Sequence, residues 1–151
     1  MNLRTMPSLL AMLALPFSLS ASLGGDVASV QTDQAKLQGT LRTTSSDSYD
    51  LHEIQTATGV AVKEYVSPEG KVFAVTWQGS FQPDLRQLLG TYFDQYTQAV
   101  QAQRAARHGH GPVLIQLPGL VVEVTGHMRS FFGRAYVPQM LPAGVRAEDI
   151  P

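Results

Sequence analysis

The sequence predicts an α+β fold: an antiparallel sheet of about five to six strands, built from two three-stranded meanders, with one long amphipathic helix packed on a face and a short N-terminal helix. Three observations predict it. Alternating apolar and polar residues run from Ser48 to Gly79 around two turn signatures. A second group of short apolar runs lies between Val113 and Val137. Between the two groups, residues 83–107 carry their apolar side chains at helical spacing.

The amino terminus has the pattern of an export signal. After Arg4 no charged residue appears until Asp26, and "MPSLLAMLALPFSLSA" has an apolar centre followed by small residues. The apolar part, Leu9 to Leu19, is about half of the ~20 residues that span a bilayer, and Pro16 ends a helix early. Residues 1–21 are therefore expected to be a cleaved signal peptide, with Ser20 and Ser22 as alternative processing points, and an uncleaved anchor as the alternative to cleavage. Residues 22–151 are expected to form a single α+β domain. Its environment is the periplasm or the exterior, and no stable transmembrane anchor remains after cleavage.

Composition narrows the function classes. Eleven Lys and Arg stand against twelve Asp and Glu, a formal charge of -1, so no basic surplus exists to hold a nucleic-acid backbone. The chain of 151 residues has no cysteine, which excludes disulfides, thiolate metal sites and a cysteine nucleophile.

Asp26 to Gln38 is a short helix, with Asp26 as its N-cap and Gly39 as its stop. "GTLRTTSSDS" is polar and without periodicity, so a connector is expected there. From Ser48 to Gly79 three strands follow, joined by the three-residue loops Ala57-Thr58-Gly59 and Pro68-Glu69-Gly70. The first loop sets Ile54 opposite Val62, Glu53 opposite Lys63, His52 opposite Glu64 and Leu51 opposite Tyr65. The second sets Val66 against Val72, Tyr65 against Phe73, Lys63 against Val75 and Ala61 against Trp77. On that register Leu51, Tyr65, Phe73, Val75 and Trp77 share a face, while Ile54, Val60, Val62, Val66, Val72 and Ala74 share the other.

Pro83 and Asp84 suit the start of the long helix, and Arg104 and Arg107 suit its end. Leu85, Leu88, Leu89, Tyr92, Phe93, Tyr96 and Val100 make its apolar stripe. After "HGHGP" come three more strands, "VLIQL", "LVVEV" and "MRSFFGRAYV". A three-residue loop in the last hairpin would set Glu123 against Arg129 and Val121 against Phe131. The tail, residues 138–151, contains three prolines and is expected to be irregular.

Candidate chemistry is sparse. His108 and His110 suggest a metal, although two imidazoles make a poor site and a solvated helix exit is the plainer reading. His52 and Glu53 point to opposite faces of a strand and fit cross-strand pairing better than acid–base catalysis. His127, Arg129, Arg134 and Tyr136 are the most function-like group, because two guanidiniums near a histidine and a phenol suit an anionic ligand; their plainer reading is solvation or pairing with Glu123. Trp77 is a core anchor or a ligand platform. No catalytic residue, metal site or cofactor is expected, and no phosphate loop, zinc helix or dinucleotide fingerprint is present.

The segments "LGGDVASV", "HEIQTATGVAVKEYVSPEGKVFAVTWQGSFQPDLRQLLGTYF" and "GHMRSFFGRAYVPQMLPAGV" resemble a family of exported proteobacterial proteins, domain of unknown function 2844 (DUF2844). The resemblance spans nearly all of the expected mature chain and implies export and one compact domain. It carries over no activity, cofactor or catalytic residue. The expectation is a non-catalytic periplasmic or secreted domain that binds an envelope or secreted protein, using Trp77, His127, Arg129, Arg134 and Tyr136. A small enzyme or ligand binder built on His127, Arg129 and Tyr136 is the alternative.

Overall fold

A computed structural model describes residues 23–106 and 111–151. The expected signal peptide, Arg107, and the His108 and His110 pair lie outside the described residues.

Seven strands form one antiparallel sheet: β1 (Gly39–Ser45), β2 (Asp50–Thr56), β3 (Ala61–Val66), β4 (Val72–Gly79), β5 (Val113–Leu117), β6 (Leu120–His127) and β7 (Ser130–Tyr136), in the order β1-β2-β3-β4-β7-β6-β5. The two meanders therefore join through β4 and β7 in the middle of the sheet. The expected connector at residues 39–45 is an edge strand instead. Threonine suits a pleated backbone, and β1 is exposed over most of its length, so it needs few apolar residues.

The β2–β3 register is as expected, from Ile54 opposite Val62 to Leu51 opposite Tyr65. Both loops close with three residues: Gly59 and Gly70 sit at φ 81° and 78°, where a side chain would be strained. The β3–β4 register departs from expectation after its first pair. Val66 faces Val72, but Tyr65 faces Ala74, Lys63 faces Thr76 and Ala61 faces Gln78. Phe73 is the extra residue of a bulge, and its carbonyl accepts from the Val137 amide at 3.0 Å.

That bulge re-sorts the two faces. Val75 and Trp77 join Ile54, Val62, Val122 and Ala135 beneath the helices rather than Leu51 and Tyr65. Tyr65, Phe73 and Ala74 form a second core on the other face with Ile150 of the tail, beside Tyr49, Leu51 and Tyr136. Its three rings stand edge-on or tilted, with Tyr49–Tyr65 centroids at 5.4 Å and Tyr65–Phe73 at 6.1 Å. The irregular tail is thus the lid of this smaller core.

On the helical face, α1 (Ala28–Leu37) covers β1 and β2. Asp26 is not its N-cap: it bridges to Lys71, with which it also forms an ion pair. The helix closes on Gln38 at φ 51° rather than on Gly39, whose role is steric. A Cβ at Gly39 would meet Ile54 Cγ2 at 2.5 Å. The long helix is broken into α2 (Leu85–Leu89) and α3 (Phe93–Ala106) by a 3-10 turn at Gly90–Tyr92. Gly90, at φ 50° and ψ −121°, leaves helical geometry and makes the break. Asp84 caps α2 by accepting from the Arg86 amide at 2.9 Å.

Candidate functional site

The β6–β7 hairpin is tighter than expected. Its last pair is His127 with Ser130, so Met128 and Arg129 alone make the turn, with Arg129 at φ 65°. Glu123 consequently faces Arg134, and Val121 faces Tyr136. Gly133 causes no bulge. Its missing Cβ makes room for the Trp77 ring, since an added Cβ would lie 2.2 Å from Trp77 Cζ2.

The five candidate residues fall in four places. Trp77 is buried among the helix-side core, and its Nε1 has no partner among the described residues. Arg134 is engaged structurally: Nε and Nη2 donate to the two Glu123 carboxylate oxygens at 3.0 Å each, and Nη1 donates to the carbonyls of Ala147 and Ile150 at 3.2 and 2.8 Å. The Glu123 carboxylate raises the guanidinium's pKa further. Tyr136 packs beside the second core, about 20 Å along the strand from the hairpin tip at ~3.3 Å per residue. His127 and Arg129 remain together at that tip, exposed. Among the described residues, the cleft that His127 lines includes neither Arg129 nor Tyr136.

The tip has other neighbours that sequence reasoning did not single out. Gly79 of β4 faces Phe131 of β7, which brings the chain after β4 to the same end of the sheet. There Gln82, Val113, Val124, His127 and Phe131 line a cleft of about 340 Å³. Met128 is 96% exposed and Phe81 is 61% exposed, two large apolar side chains open to solvent at this end of the sheet. A wider, shallower cleft of about 520 Å³ adjoins it through Gln82, between Pro83–Leu85 and the α3 residues Tyr96, Val100 and Arg104. This end can offer apolar contacts with an imidazole and a guanidinium at the rim.

A second concentration of chemistry lies under α1. Asp33 and Glu64 are both 0% exposed. The expected His52–Glu64 ion pair is not made, although the two residues are opposite in register. His52 Nδ1 hydrogen-bonds Thr43 Oγ1 at 3.0 Å, and burial lowers its pKa. Glu64 turns instead to Asp33. Burial first, then the hydrogen bond and charge of Asp33, push Glu64 up to about 9. Burial also raises Asp33, while the Glu64 contact, Gln87 and Lys36 oppose the rise. Two signals in the sequence mark this pair: Asp33 shares a helical face with Val30 and Leu37, and Glu64 interrupts the apolar positions Val62 and Val66.

Among the described residues, no group of three His, Cys, Asp or Glu is placed to hold a metal ion, and no helix is long and apolar enough to cross a membrane.

Fold and sites define a class: a seven-stranded antiparallel sheet with helices on one face, a tail-capped core on the other and an apolar hairpin tip at one end. Residues 19–150 match the model of a family described as a protein of unknown function, DUF2844, and the chain belongs to that family. No curated protein and no solved structure matches the chain.

Proposed function

We propose that the protein is an exported, non-catalytic binding domain of the periplasm or exterior that engages an envelope or secreted protein through the β6–β7 hairpin tip. The observation that carries this reading is Met128, 96% exposed on a two-residue turn, with Phe81 61% exposed on a neighbouring loop. Flexible, polarizable methionine and a flat aromatic ring are side chains that adapt to a partner surface. The leader-like residues 1–21 support the compartment.

A photo-reactive residue placed at Met128, with a control at Glu69 in the β3–β4 loop, tests the reading in cells. One discrete envelope protein is expected to cross-link from position 128 and not from 69, and to be lost with Phe81→Ser. Equal labelling from both positions, or none from 128, refutes it. The intact mass of the same protein reports processing, expected after Ala21.

A small-ligand reading has one favouring observation, the cleft of about 340 Å³ that joins His127 to Gln82 and Phe131. It requires saturable binding of a small molecule that His127→Ala abolishes. Arg129 and Tyr136 contribute nothing to that cleft's lining.

A further inference from the structure

The attachment of α1 to the sheet is thin. Its buried residues are Ser29, Val30 and Asp33, with Leu37 half-buried, so only one of the three buried side chains is apolar. A ten-residue helix held by so little apolar surface belongs to the part of a fold that opens most readily. Polar contacts must do much of the holding.

Gln87 Nε2 of α2 donates to Asp33 Oδ1 at 2.5 Å. The other Asp33 oxygen and both Glu64 oxygens are buried and find no partner among the described residues except each other's carboxyl. Ser29 Oγ, one turn before Asp33, is also buried and unpartnered among those residues. Two ionised carboxyls cannot share a site that excludes water, because desolvation and mutual repulsion both act against the second charge.

We propose that α1 is a proton-gated flap: a proton shared between Asp33 and Glu64 holds the helix on the sheet, and loss of that proton releases it. Each neighbouring element contributes to the assignment of charge. On α1, Lys36 favours an ionised Asp33, and on α2 the Gln87 amide does the same. On β2, His52 stands opposite Glu64, kept neutral by burial and engaged with Thr43 of β1. On β4 the residue opposite Glu64 is Val75, which supplies no hydrogen bond. Arg42, Glu53 and Lys63 form a row on the opposite face of the sheet. Asp33 therefore holds the negative charge and Glu64 the proton. Release uncovers Leu41 and Ile54, apolar residues of β1 and β2 on the helical face.

The cysteine-free chain makes the test direct. Spin labels on Ala35→Cys and Gln78→Cys report the distance from α1 to the sheet, while Gln78→Cys with Gln116→Cys reports the sheet itself. From pH 6 to pH 10 the α1 distance is expected to lengthen and broaden with a midpoint near 9, while the sheet distance stays constant. With Glu64→Gln, whose amide donates a hydrogen bond and does not ionise, the helix is expected to stay docked at pH 10. An α1 distance unchanged to pH 10 overturns the proposal. So does a response retained in Glu64→Gln, or a sheet distance that changes in step with α1. Should Glu64→Gln fail to fold, carbon NMR of the unsubstituted chain decides: a Glu64 carboxyl titrating in the ordinary glutamate range overturns the proposal, and one that titrates well above that range in step with the lengthening of the α1 distance upholds it.

Discussion

Arg134 illustrates how a residue type suited to ligand binding is spent on architecture. Its planar fork satisfies Glu123 on β6 with two hydrogen bonds, and its remaining nitrogen holds the carbonyls of Ala147 and Ile150. The Ile150 side chain is thereby kept against Tyr65, Phe73 and Ala74. Arg134→Ala is expected to destabilise the domain by about 2 kcal/mol, the scale of charged hydrogen bonds lost from a partly buried site. It should also make the tail after Val137 susceptible to proteolysis before the sheet unfolds. Lysine, a point charge without the fork, is expected to restore little. A urea titration with mass analysis of protease fragments checks both outcomes; an Arg134→Ala protein with unchanged midpoint and intact tail contradicts the role.

Among the elements, β1 and β5 occupy the sheet's two edges but are protected differently. On β5 the Leu114 carbonyl accepts from Gln103 of α3 at 3.0 Å, so the helix covers part of that edge. β1 has no proline, no bulge and one charged residue, Arg42. The Ser46 amide donates to Tyr49 at 3.0 Å, and antiparallel alternation then turns the amides of Thr44, Arg42 and Thr40 toward β2 and those of Thr43 and Leu41 outward. Thr43→Pro is therefore expected to cost at least 1 kcal/mol less than Arg42→Pro, a gap on the order of one hydrogen bond. Equal midpoints for the two variants in denaturant would contradict this pairing.

The same elements show where physical reasoning from residues succeeded. The β2–β3 register was legible because loop length, apolar matching and opposite charges at Glu53 and Lys63 all agree. The β3–β4 register was not, because β4 is apolar on both faces and a one-residue slip at Phe73 leaves its pattern unchanged. β1 escaped notice because an exposed edge strand of hydroxyl residues has no apolar period. At the candidate sites, the hairpin tip was half legible: His127 and Arg129 stand there, but Met128 and Phe81 acquire meaning only once the turn length is known. The Asp33–Glu64 contact joins a helix to a strand, which residue spacing within either element does not encode.

For the whole molecule, the buried carboxyls set a pH dependence whose sign is fixed. Glu64 is raised from 4.5 to about 9, so the folded state keeps a proton that the unfolded chain gives up, and Asp33 acts in the same direction. Their contribution is complete below the unfolded value and is lost as pH rises through the folded one. His52, lowered from 6.5 by burial, acts oppositely and removes stability as pH falls below that value. Stability is thus expected to decline steadily from pH 6.5 to 9, while below 6.5 the loss from His52 is set against a continuing gain from Glu64. Denaturant midpoints across this range check it, and a midpoint that rises toward pH 9 contradicts the assignment.

The junction of β4 with β7 also determines the order in which the chain can assemble. Each neighbouring pair from β1 to β4 is joined by a short loop and needs little closure entropy, as do β5, β6 and β7. The central seam instead pairs Gly79 with Phe131 and Ala74 with Tyr136, residues about fifty to sixty positions apart. The two half-sheets are thus expected to form locally before they meet. On closure entropy this encounter is the step expected to limit the folding rate, and it must also seat the Trp77 ring over Gly133. Until it happens, two apolar edges stand open at what becomes the middle of the protein, and that interval is when the chain is most exposed to pairing with the wrong strand.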